Sequence, residues 1–399
     1  MNMNGCRFAA SIALALCMVV PGAALADEFS TCLTRLRGDA LKRGVSAATF
    51  DAHAARLQPD LSVLALLDAQ PEFVTPIWDY LSTLVDEERV SDGQAMLERW
   101  NAVLRQIEAR YGVDPATVVA IWGVESDYGR SLGKRPLLVS LVTLSCMGRR
   151  QAFFRDEFLT LLTLIDDGHV KPERLTGSWA GAFGQTQFMP SAYMRVAVDF
   201  DGDGRRDLVD SAPDALASTA NFMREGGWDS GAPWGYEVKL PAGFDVSLAG
   251  RRKKRSLATW AARGLSLADG SPLPTVGPDS GLLLPAGAAG AAFLVGRNFD
   301  VVCGYNPAES YALAIVHLAD RLRGGKAFVA PWPTDDPGLS RAERREVQQA
   351  LINRGHDIGA VDGAIGERTR EAIKAEQVAL GLTVDGRAGR KLLTVLRGR

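Results

Sequence analysis

The chain has 399 residues, of which 47% are hydrophobic and 23% are charged, and its formal net charge at pH 7 is −2. This length allows two or three domains, and the composition is that of an ordinary globular protein. A charge balance so close to neutral gives no sign of a nucleic-acid partner, and the one basic run, RRKKR at 251–255, is typical of a solvated loop.

The first 26 residues have the pattern of a secretory signal peptide. Arg7 precedes an apolar stretch, and the small-residue triplet ALA ends at Ala26. Cys17 raises the alternative of a lipid anchor, but the residue before a lipidated cysteine should be small, and here it is Leu16. We therefore expect an exported protein that is soluble rather than anchored. No later stretch has about 18 uninterrupted apolar residues, so we expect no transmembrane segment.

Export changes how the cysteines are interpreted. The mature chain would keep Cys32, Cys146 and Cys303, and an odd number allows one bridge and one thiol, with every pairing still open. The cysteines have no CxxC spacing and the four histidines are scattered, so a zinc site or a Cys–His nucleophile has no support. A Ser–His–Asp hydrolase has none either, because the GxSxG motif is absent from the sequence.

Helical periodicity dominates the chain as far as residue 230. It recurs in six stretches, at 30–45, 75–88, 92–111, 115–128, 151–166 and 213–226. Residues 231–300 differ, because short alternating stretches such as YEVKL lie between glycine and proline turns and predict a few strands. SYALAIVHLADRLRGG then predicts another helix, which ends at its glycines. We therefore predict a mainly α protein of the α+β type.

The last part of the chain reads as a linker followed by a small unit. Residues 326–338 are rich in proline, which predicts a linker. Within residues 339–399, VDGAIGERTREAI and VDGRAGRKLL look like one motif used twice. We expect this unit to fold alone and to move semi-independently of the rest of the chain.

One acid interrupts the most apolar of the predicted helices. In YGVDPATVVAIWGVESDYG, Asp114 suits an N-cap, Pro115 suits the first helical position, and Gly129 predicts the end of the helix. Glu125 then falls in the last turn, where apolar neighbours, lost hydration and the negative end of the helix dipole raise a carboxyl pKa. A raised pKa is what a general acid needs. The alternative is a carboxylate at the edge of the buried face, paired with an arginine such as Arg130.

The stretch GSWAGAFGQTQFMPSAY, residues 177–193, is dense in glycine, aromatic and amide side chains. Glycines let the backbone approach a ligand closely, and the amides of Gln185 and Gln187 can hydrogen-bond hydroxyl groups. Aromatic faces can also cover the apolar faces of sugar rings. This composition favours sugar binding, and the alternative is a tightly packed buried loop.

The stretch DFDGDGRRDLVD follows the calcium-loop pattern D-x-D-x-D-G, with a carboxylate at the twelfth place. The predicted ligands are Asp199, Asp201, Asp203, the backbone carbonyl of Arg205, and Asp210. Because an aspartate replaces the usual glutamate at the twelfth place, we expect a weak dissociation constant, on the order of 10⁻⁴–10⁻³ M. The alternative is a metal-free turn held by hydrogen bonds to aspartate side chains.

Four motifs occur in order and at fitting distances: GVESDYG, GSWAGAFGQTQFMPSAY, DFDGDGRRDLVD and YNPAESYALAI. Together they resemble the membrane-bound lytic murein transglycosylase B family over roughly 30–325, which implies a lysozyme-like helical core with a small β and loop subdomain. Residues 339–399 are similar to the three-helix peptidoglycan-binding domain of cell-wall hydrolases. The expected domains are a signal peptide at 1–26, a catalytic domain at 27–325 with its β-rich part at 231–300, a linker at 326–338 and a peptidoglycan-binding domain at 339–399.

The resemblance also implies a chemistry and a location. Glu125 would be the sole catalytic acid and base, cleaving the MurNAc-β-1,4-GlcNAc bond of peptidoglycan and closing a 1,6-anhydro ring on MurNAc without consuming water. No cofactor is required for this chemistry, and calcium would be structural. The expected partner is the glycan strand of peptidoglycan in the periplasm; protein partners are not indicated. The implied sugar-cleft residues are Tyr80, Ser178, Gln187, Tyr305, Asn306 and Tyr311.

Two alternatives remain from the residues themselves. Asp127 is the acid nearest to Glu125 in sequence, but it points about 200° round the helix and is a poor partner. A more distant acid that folds into the cleft would instead allow a hydrolytic muramidase. A wall-binding scaffold without activity is the non-enzymatic alternative.

Overall fold

The computed structural model describes residues 21–398, with side chains from residue 27 onward. The predicted signal peptide and Cys17 lie outside the described residues, except for the six positions with which the first helix begins. Eighteen α-helices and six short strands make up the described chain, so the predicted mainly α class is confirmed. Within it, no helix combines the length and the apolar character that crossing a membrane would require.

The helices are α1 (Pro21–Lys42), α2 (Ala47–His53), α3 (Ser62–Leu66), α4 (Pro71–Val74), α5 (Ile77–Leu84), α6 (Glu87–Arg99), α7 (Asn101–Tyr111), α8 (Pro115–Ser126), α9 (Leu137–Met147), α10 (Gln151–Asp166), α11 (Pro190–Val196), α12 (Ala212–Glu225), α13 (Leu257–Ala261), α14 (Arg297–Tyr305), α15 (Glu309–Leu322), α16 (Arg341–Asn353), α17 (Glu367–Leu380) and α18 (Arg390–Arg397). The strands are β1 (Arg135–Pro136), β2 (Thr176–Gly177), β3 (Gly235–Lys239), β4 (Ser266–Leu267), β5 (Gly281–Leu283) and β6 (Ala292–Val295).

The helix α8 lies at the centre of the largest hydrophobic core. Its residues from Ala116 to Gly123 are all buried, and it packs against α6, α12 and α15. Asp114 caps its N-terminus by accepting a hydrogen bond from the Thr117 amide at 3.1 Å, as the sequence predicts. The structure buries α8 on nearly every side, in agreement with the apolar run of its sequence.

A second core joins α1 and α2 to α9, α10 and α11. Cys32 of α1 and Cys146 of α9 form a disulfide with their Cα atoms 5.7 Å apart, which decides the pairing that the sequence leaves open. Cys303 of α14 is buried and carries the remaining thiol of the described residues.

The predicted strands of residues 231–300 form one antiparallel sheet in the order β4–β3–β6–β5. One face of the sheet covers a small core around Trp260, and Phe293 of β6 joins the central helical core from the other face. The sheet therefore supports the helices from outside, while β1 and β2 form a separate short pair.

Several predicted helix boundaries are corrected. The stretch 75–88 contains α5 and the start of α6, and the stretch 92–111 is broken at Trp100 between α6 and α7. The helix α9 was not predicted, because it is buried along almost its whole length and has no polar face to mark its period.

The C-terminal unit, residues 339–398, consists of α16, α17 and α18 around its own core. It is docked on the rest of the chain by ion pairs, while its semi-independent movement stays a prediction. Arg387 pairs with Asp79 of α5 at 2.5 Å, and Arg345 pairs with Glu88 of α6 at 2.5 Å.

The predicted linker, residues 326–338, contains neither helix nor strand, but it is packed rather than loose. Phe328 stacks on the buried His317 with ring centroids 3.8 Å apart. The amides of Val329 and Ala330 both donate to the carboxylate of Glu237, each at 2.8 Å.

Candidate active site

The helix α8 ends in an unusual turn directly after Glu125. The sequence predicts a stop at Gly129, but the helix ends at Ser126, and Asp127, Tyr128 and Gly129 are all left-handed, with φ of 53°, 59° and 83°. The Tyr128 ring packs so close to α8 that a Cβ placed on Gly123 would lie 2.6 Å from it. This packing holds the turn and leaves Glu125 at the open end of the helix.

The Glu125 side chain faces a cavity of about 380 Å³. Its Oε1 accepts a hydrogen bond of 2.5 Å from Tyr311 Oη. Burial raises the pKa of Glu125 to about 7; the Tyr311 hydrogen bond works against this rise, and the negative charge of Glu72 adds to it. Both the protonated carboxyl and the carboxylate are therefore accessible near neutral pH, as a group that both donates and accepts a proton requires.

The alternative of an ion pair between Glu125 and Arg130 is wrong. Arg130 instead contacts the side chains of Asp92 and Asp127. Glu125 thus has a tyrosine hydroxyl as its neighbour, and desolvation rather than a cation decides its pKa.

Three of the predicted sugar-cleft residues line the same cavity as Glu125: Tyr80 of α5, Asn306 directly after α14, and Tyr311 of α15. Burial, followed by the charges of Glu72 and Glu125, raises the pKa of Tyr80, so its hydroxyl stays protonated and can donate a hydrogen bond. These side chains come from distant parts of the chain and converge because α15 packs against both α5 and α8.

Within the described residues, the lining of this cavity does not include Tyr305, Ser178 or Gln187. Tyr305 lies behind it, with its ring centroid 4.8 Å from that of Phe222 and its hydroxyl donating to Thr186 O at 2.5 Å. Burial and then the Glu125 charge raise the pKa of Tyr305, so its hydroxyl stays protonated.

Ser178 and Gln187 hold the glycine-rich loop of residues 177–193 in shape. Ser178 Oγ accepts from the Ala182 amide at 3.0 Å, and Gln187 Nε2 donates to Gly184 O at 2.8 Å. The loop is tied to α8 by Ser126 Oγ, which donates to Gln185 O at 2.5 Å. The contact of Ser178 and Gln187 with a sugar stays a prediction.

The sequence did not single out Glu72, although it lines the cavity with Glu125. It lies on α4, a helix of four residues, and Asn306 Nδ2 donates to its Oε1 at 3.2 Å. Ser310 Oγ also donates to the Glu72 backbone carbonyl at 2.5 Å. No motif surrounds this residue, so only the tertiary fold reveals it as a distant acid in the cleft.

The predicted calcium loop brings three of its carboxylates together. Ligand atoms of Asp199, Asp201 and Asp203 lie within 4.8 Å of one another, a set of oxygen donors that suits a hard divalent cation. Asp210 is not part of this cluster, because its carboxylate accepts a hydrogen bond of 2.7 Å from Arg174 Nη2. The Arg205 amide donates to Asp203 Oδ1 at 2.8 Å, which is also what the metal-free turn requires.

A helical core that holds one protonatable glutamate at the end of a buried helix, above a cleft lined by tyrosine and asparagine, defines a lysozyme-like class of glycan-cleaving enzymes. The family "Transglycosylase SLT domain" matches residues 28–320, and "Putative peptidoglycan binding domain" matches residues 340–396. The chain belongs to the SLT transglycosylase family, whose members are lytic enzymes of peptidoglycan, and the resemblance found in the sequence is confirmed.

Individual relatives agree with this assignment. The chain is 34% identical over 272 residues to the membrane-bound lytic murein transglycosylase B of Escherichia coli (strain K12). The matched region covers 64% of this chain and 73% of that protein. It is similar to SltB3 from Pseudomonas aeruginosa, solved in complex with NAG-anhNAM-pentapeptide, at 47% identity and a TM-score of 0.74 over 92% of this chain and 99% of that one. The calcium complex of Escherichia coli Slt35 has 31% identity and a TM-score of 0.63 over 74% of this chain and 92% of that one.

Proposed function

We propose that this enzyme cleaves the MurNAc-β-1,4-GlcNAc bond of peptidoglycan and leaves a 1,6-anhydro-MurNAc end, with Glu125 as its acid and base. The observation that carries the proposal is the Glu125 carboxyl with its pKa raised to about 7, in a cavity large enough for sugar rings. The similar SltB3 has been solved in complex with NAG-anhNAM-pentapeptide, and this anhydro ligand supports the proposed anhydro end.

The proposed reaction balances within the substrate. Protonated Glu125 gives its proton to the glycosidic oxygen as the bond from C1 of MurNAc to that oxygen breaks. The resulting carboxylate takes the proton of the C6 hydroxyl while O6 bonds to C1 and closes the anhydro ring. The Tyr311 hydroxyl stabilises the carboxylate between the two steps through its hydrogen bond to Oε1.

The cleft residues hold the sugar for these transfers. Tyr80 and Asn306 line the cavity and can hydrogen-bond sugar hydroxyl or acetamido groups. Ser178, Gln187 and Tyr305 are proposed to contribute from the neighbouring glycine-rich loop and from behind the cavity.

Glu72 favours one competing function, a hydrolytic muramidase, because it places a second carboxyl group in the same cavity. Glycosidases that use water pair their acid with a second carboxylate as nucleophile or base. The hydrogen bond from Asn306 to Glu72 gives that carboxylate a binding role instead, in which it orients the asparagine.

Mass spectrometry of the products from purified murein sacculi tests both functions. Wild type and Glu72→Gln should both release anhydro ends. Glu125→Gln should fall below about 1% of wild-type turnover, since a general acid contributes about 10²–10⁴-fold. Reducing ends from wild type, lost in Glu72→Gln, would establish the muramidase instead; Glu125→Gln with substantial activity would remove Glu125 from its role.

We also propose that the loop binds a structural calcium ion through Asp199, Asp201 and Asp203, with the Arg205 carbonyl as a further ligand. The three clustered carboxylates and the calcium complex of the similar Slt35 support this site. The ion would order the loop and take no part in proton transfer, so no cofactor enters the reaction.

Calcium should raise the melting temperature of wild type measured at millimolar concentration, because a ligand of the native state stabilises it by mass action. Asp203→Asn keeps an oxygen for the Arg205 amide but removes a charge, and it should lose most of the calcium-dependent increment. Asp210→Asn, outside the cluster, is the matched control and should keep that increment. Loss in both variants would place Asp210 among the ligands, and no increment in wild type would favour the metal-free turn.

We further propose that residues 1–26 direct export of the enzyme to the periplasm. There its C-terminal unit would bind glycan strands of peptidoglycan, and no nucleic acid takes part. N-terminal sequencing of the exported protein should find Asp27 as the first residue. A lipidated Cys17 would show an anchored protein instead.

A further inference from the structure

Asp127, two residues after Glu125, lies at the meeting point of three arginines. Arg89 Nη1 is 3.6 Å and Arg130 Nε 3.2 Å from its carboxylate, and both belong to the same helical core. The third, Arg341 Nη2, donates to Asp127 Oδ1 at 2.8 Å and comes from the C-terminal unit, 214 residues further along the chain.

The backbone around Asp127 needs support from outside. Asp127 and Tyr128 both have left-handed backbone φ angles, 53° and 59°, which residues other than glycine rarely adopt. Such a conformation persists where the surrounding contacts over-determine it. Tyr128 is held by its hydroxyl, which donates to Arg89 O at 2.7 Å, whereas Asp127 is held by its arginines.

Arg341 is placed firmly enough to hold this turn. It is the first residue of α16, only 13% of its side chain is exposed, and its amide donates to Asp86 Oδ2 at 2.8 Å. Asp86 also caps α6, the helix that carries Arg89. Burial opposes a charged Asp127, yet the Arg341 hydrogen bond and the three arginine charges keep the pKa of Asp127 below its usual value.

The turn adjoins the catalytic cavity. A second cavity, of about 900 Å³, is lined by Asp127 and Arg341 and runs between the core and the C-terminal unit. It shares Pro71, Thr75 and Thr83 with the cavity that holds Glu125. Because Asp127 directly follows α8, a shift of the turn would also displace the end of α8 that carries Glu125.

We infer that Arg341 is a positioning residue: through Asp127 it fixes the turn after α8 and hence the direction in which Glu125 presents its proton. The inference rests on the proposed role of Glu125 as acid and base. It makes the docked C-terminal unit a part of the catalytic geometry, in addition to any binding of the cell wall.

Full-length Arg341→Ala and Arg341→Lys test this on a short soluble muropeptide, for which retention on the wall is irrelevant. Arg341→Ala should lower kcat by about tenfold, because a shifted turn would misdirect the Glu125 carboxyl, with KM little changed. Arg341→Lys, which keeps the charge but not the guanidinium geometry, should recover part of the loss.

Arg345→Ala is the matched control, because Arg345 lies on the same helix and the same interface but pairs with Glu88 and not with the turn. It should keep wild-type kcat. Melting temperatures of all three variants show whether each is folded at the assay temperature. If Arg341→Ala is unfolded, the kcat of Arg341→Lys is compared with that of Arg345→Ala, and a lower value in Arg341→Lys supports the positioning role.

Equal kcat losses in the Arg341 and Arg345 variants would show a general effect of docking and overturn the inference, as would wild-type kcat in Arg341→Ala. Neither result tests the proposed function, which is tested by the turnover of Glu125→Gln. A fully active Glu125→Gln would instead sink the proposed function whatever Arg341 does.

Discussion

The behaviour of Glu125 depends on two opposing contacts in one cavity. Burial and the nearby Glu72 favour its protonated form, while the hydroxyl of Tyr311 favours its carboxylate. The balance brings the pKa to about 7, so the group can release and regain a proton in one catalytic cycle.

This balance predicts how Tyr311→Phe changes the pH profile. In wild type the protonated acid is lost as the pH rises through about 7, so kcat should fall above that pH. Removing the Tyr311 hydroxyl removes a contact that lowers the Glu125 pKa, so the falling limb of the profile should move to higher pH. A pH–rate series on a soluble muropeptide checks this. A limb that moves to lower pH, or that is unchanged in Tyr311→Phe, would contradict the assigned hydrogen bond.

At this scale the sequence predicts Glu125 well, because a carboxyl in an apolar helical run is visible without a structure. Tyr80, Asn306 and Tyr311 were supplied by a resemblance, and the structure brings them to one cavity. Glu72 could not be predicted, since a single glutamate in PEFV carries no periodic or motif signal.

Among the elements, α8 and α9 show where pattern analysis succeeds and fails. The caps of α8 are chemically specific, so its start was predicted correctly at Pro115. Its end was not, because Asp127 and Tyr128 take backbone angles that sequence rules reserve for glycine. The helix α9 has no exposed face, so no helical period separates it from a buried strand.

The packing of Tyr128 on α8 predicts an unusual effect of Gly123→Ala. Alanine in place of glycine inside a helix normally stabilises by about 1 kcal/mol. Here the added Cβ would lie 2.6 Å from the Tyr128 ring, so we expect the free energy of unfolding to fall by about 1–3 kcal/mol. Gly304→Ala in α14 is the control: a Cβ there meets nothing within 4 Å, and the change should be neutral or stabilising. Denaturant titrations that show the same sign for both variants would argue against this packing.

The C-terminal unit is joined to the rest of the molecule by ion pairs between residues that are far apart in the sequence. Arg387 and Asp79 are 308 residues apart, and Arg345 and Glu88 are 257 apart. The sequence predicts the types of the two domains, which the family matches confirm. It gives no sign that they dock, because no local pattern predicts ion pairs between such distant residues. The proline-rich segment 326–338 likewise reads as loose although Glu237 fixes its backbone.

Docking by ion pairs predicts that the C-terminal unit is released by removing charge. The double variant Arg345→Ala/Arg387→Ala loses contacts to α5 and α6 and should show a larger radius of gyration in small-angle scattering. About 1 M salt, where the screening length is about 3 Å, should expand wild type in the same direction but less, since half-buried pairs are screened weakly. Lys374→Ala, which removes a pair within α17, is the control and should stay compact. A double variant as compact as wild type would show that other contacts carry the docking.

The burial of Cys303 has a consequence for how the Cys32–Cys146 bridge is kept. A third thiol can attack a disulfide only as thiolate, and burial raises the pKa of Cys303 to about 11, so almost none of it is ionised at neutral pH. In an unfolded chain a cysteine keeps its ordinary pKa of about 8.5, so a larger fraction is thiolate and able to exchange. We therefore expect the packing of α14 in the central core to protect the bridge between α1 and α9 from exchange with the third thiol of the same chain.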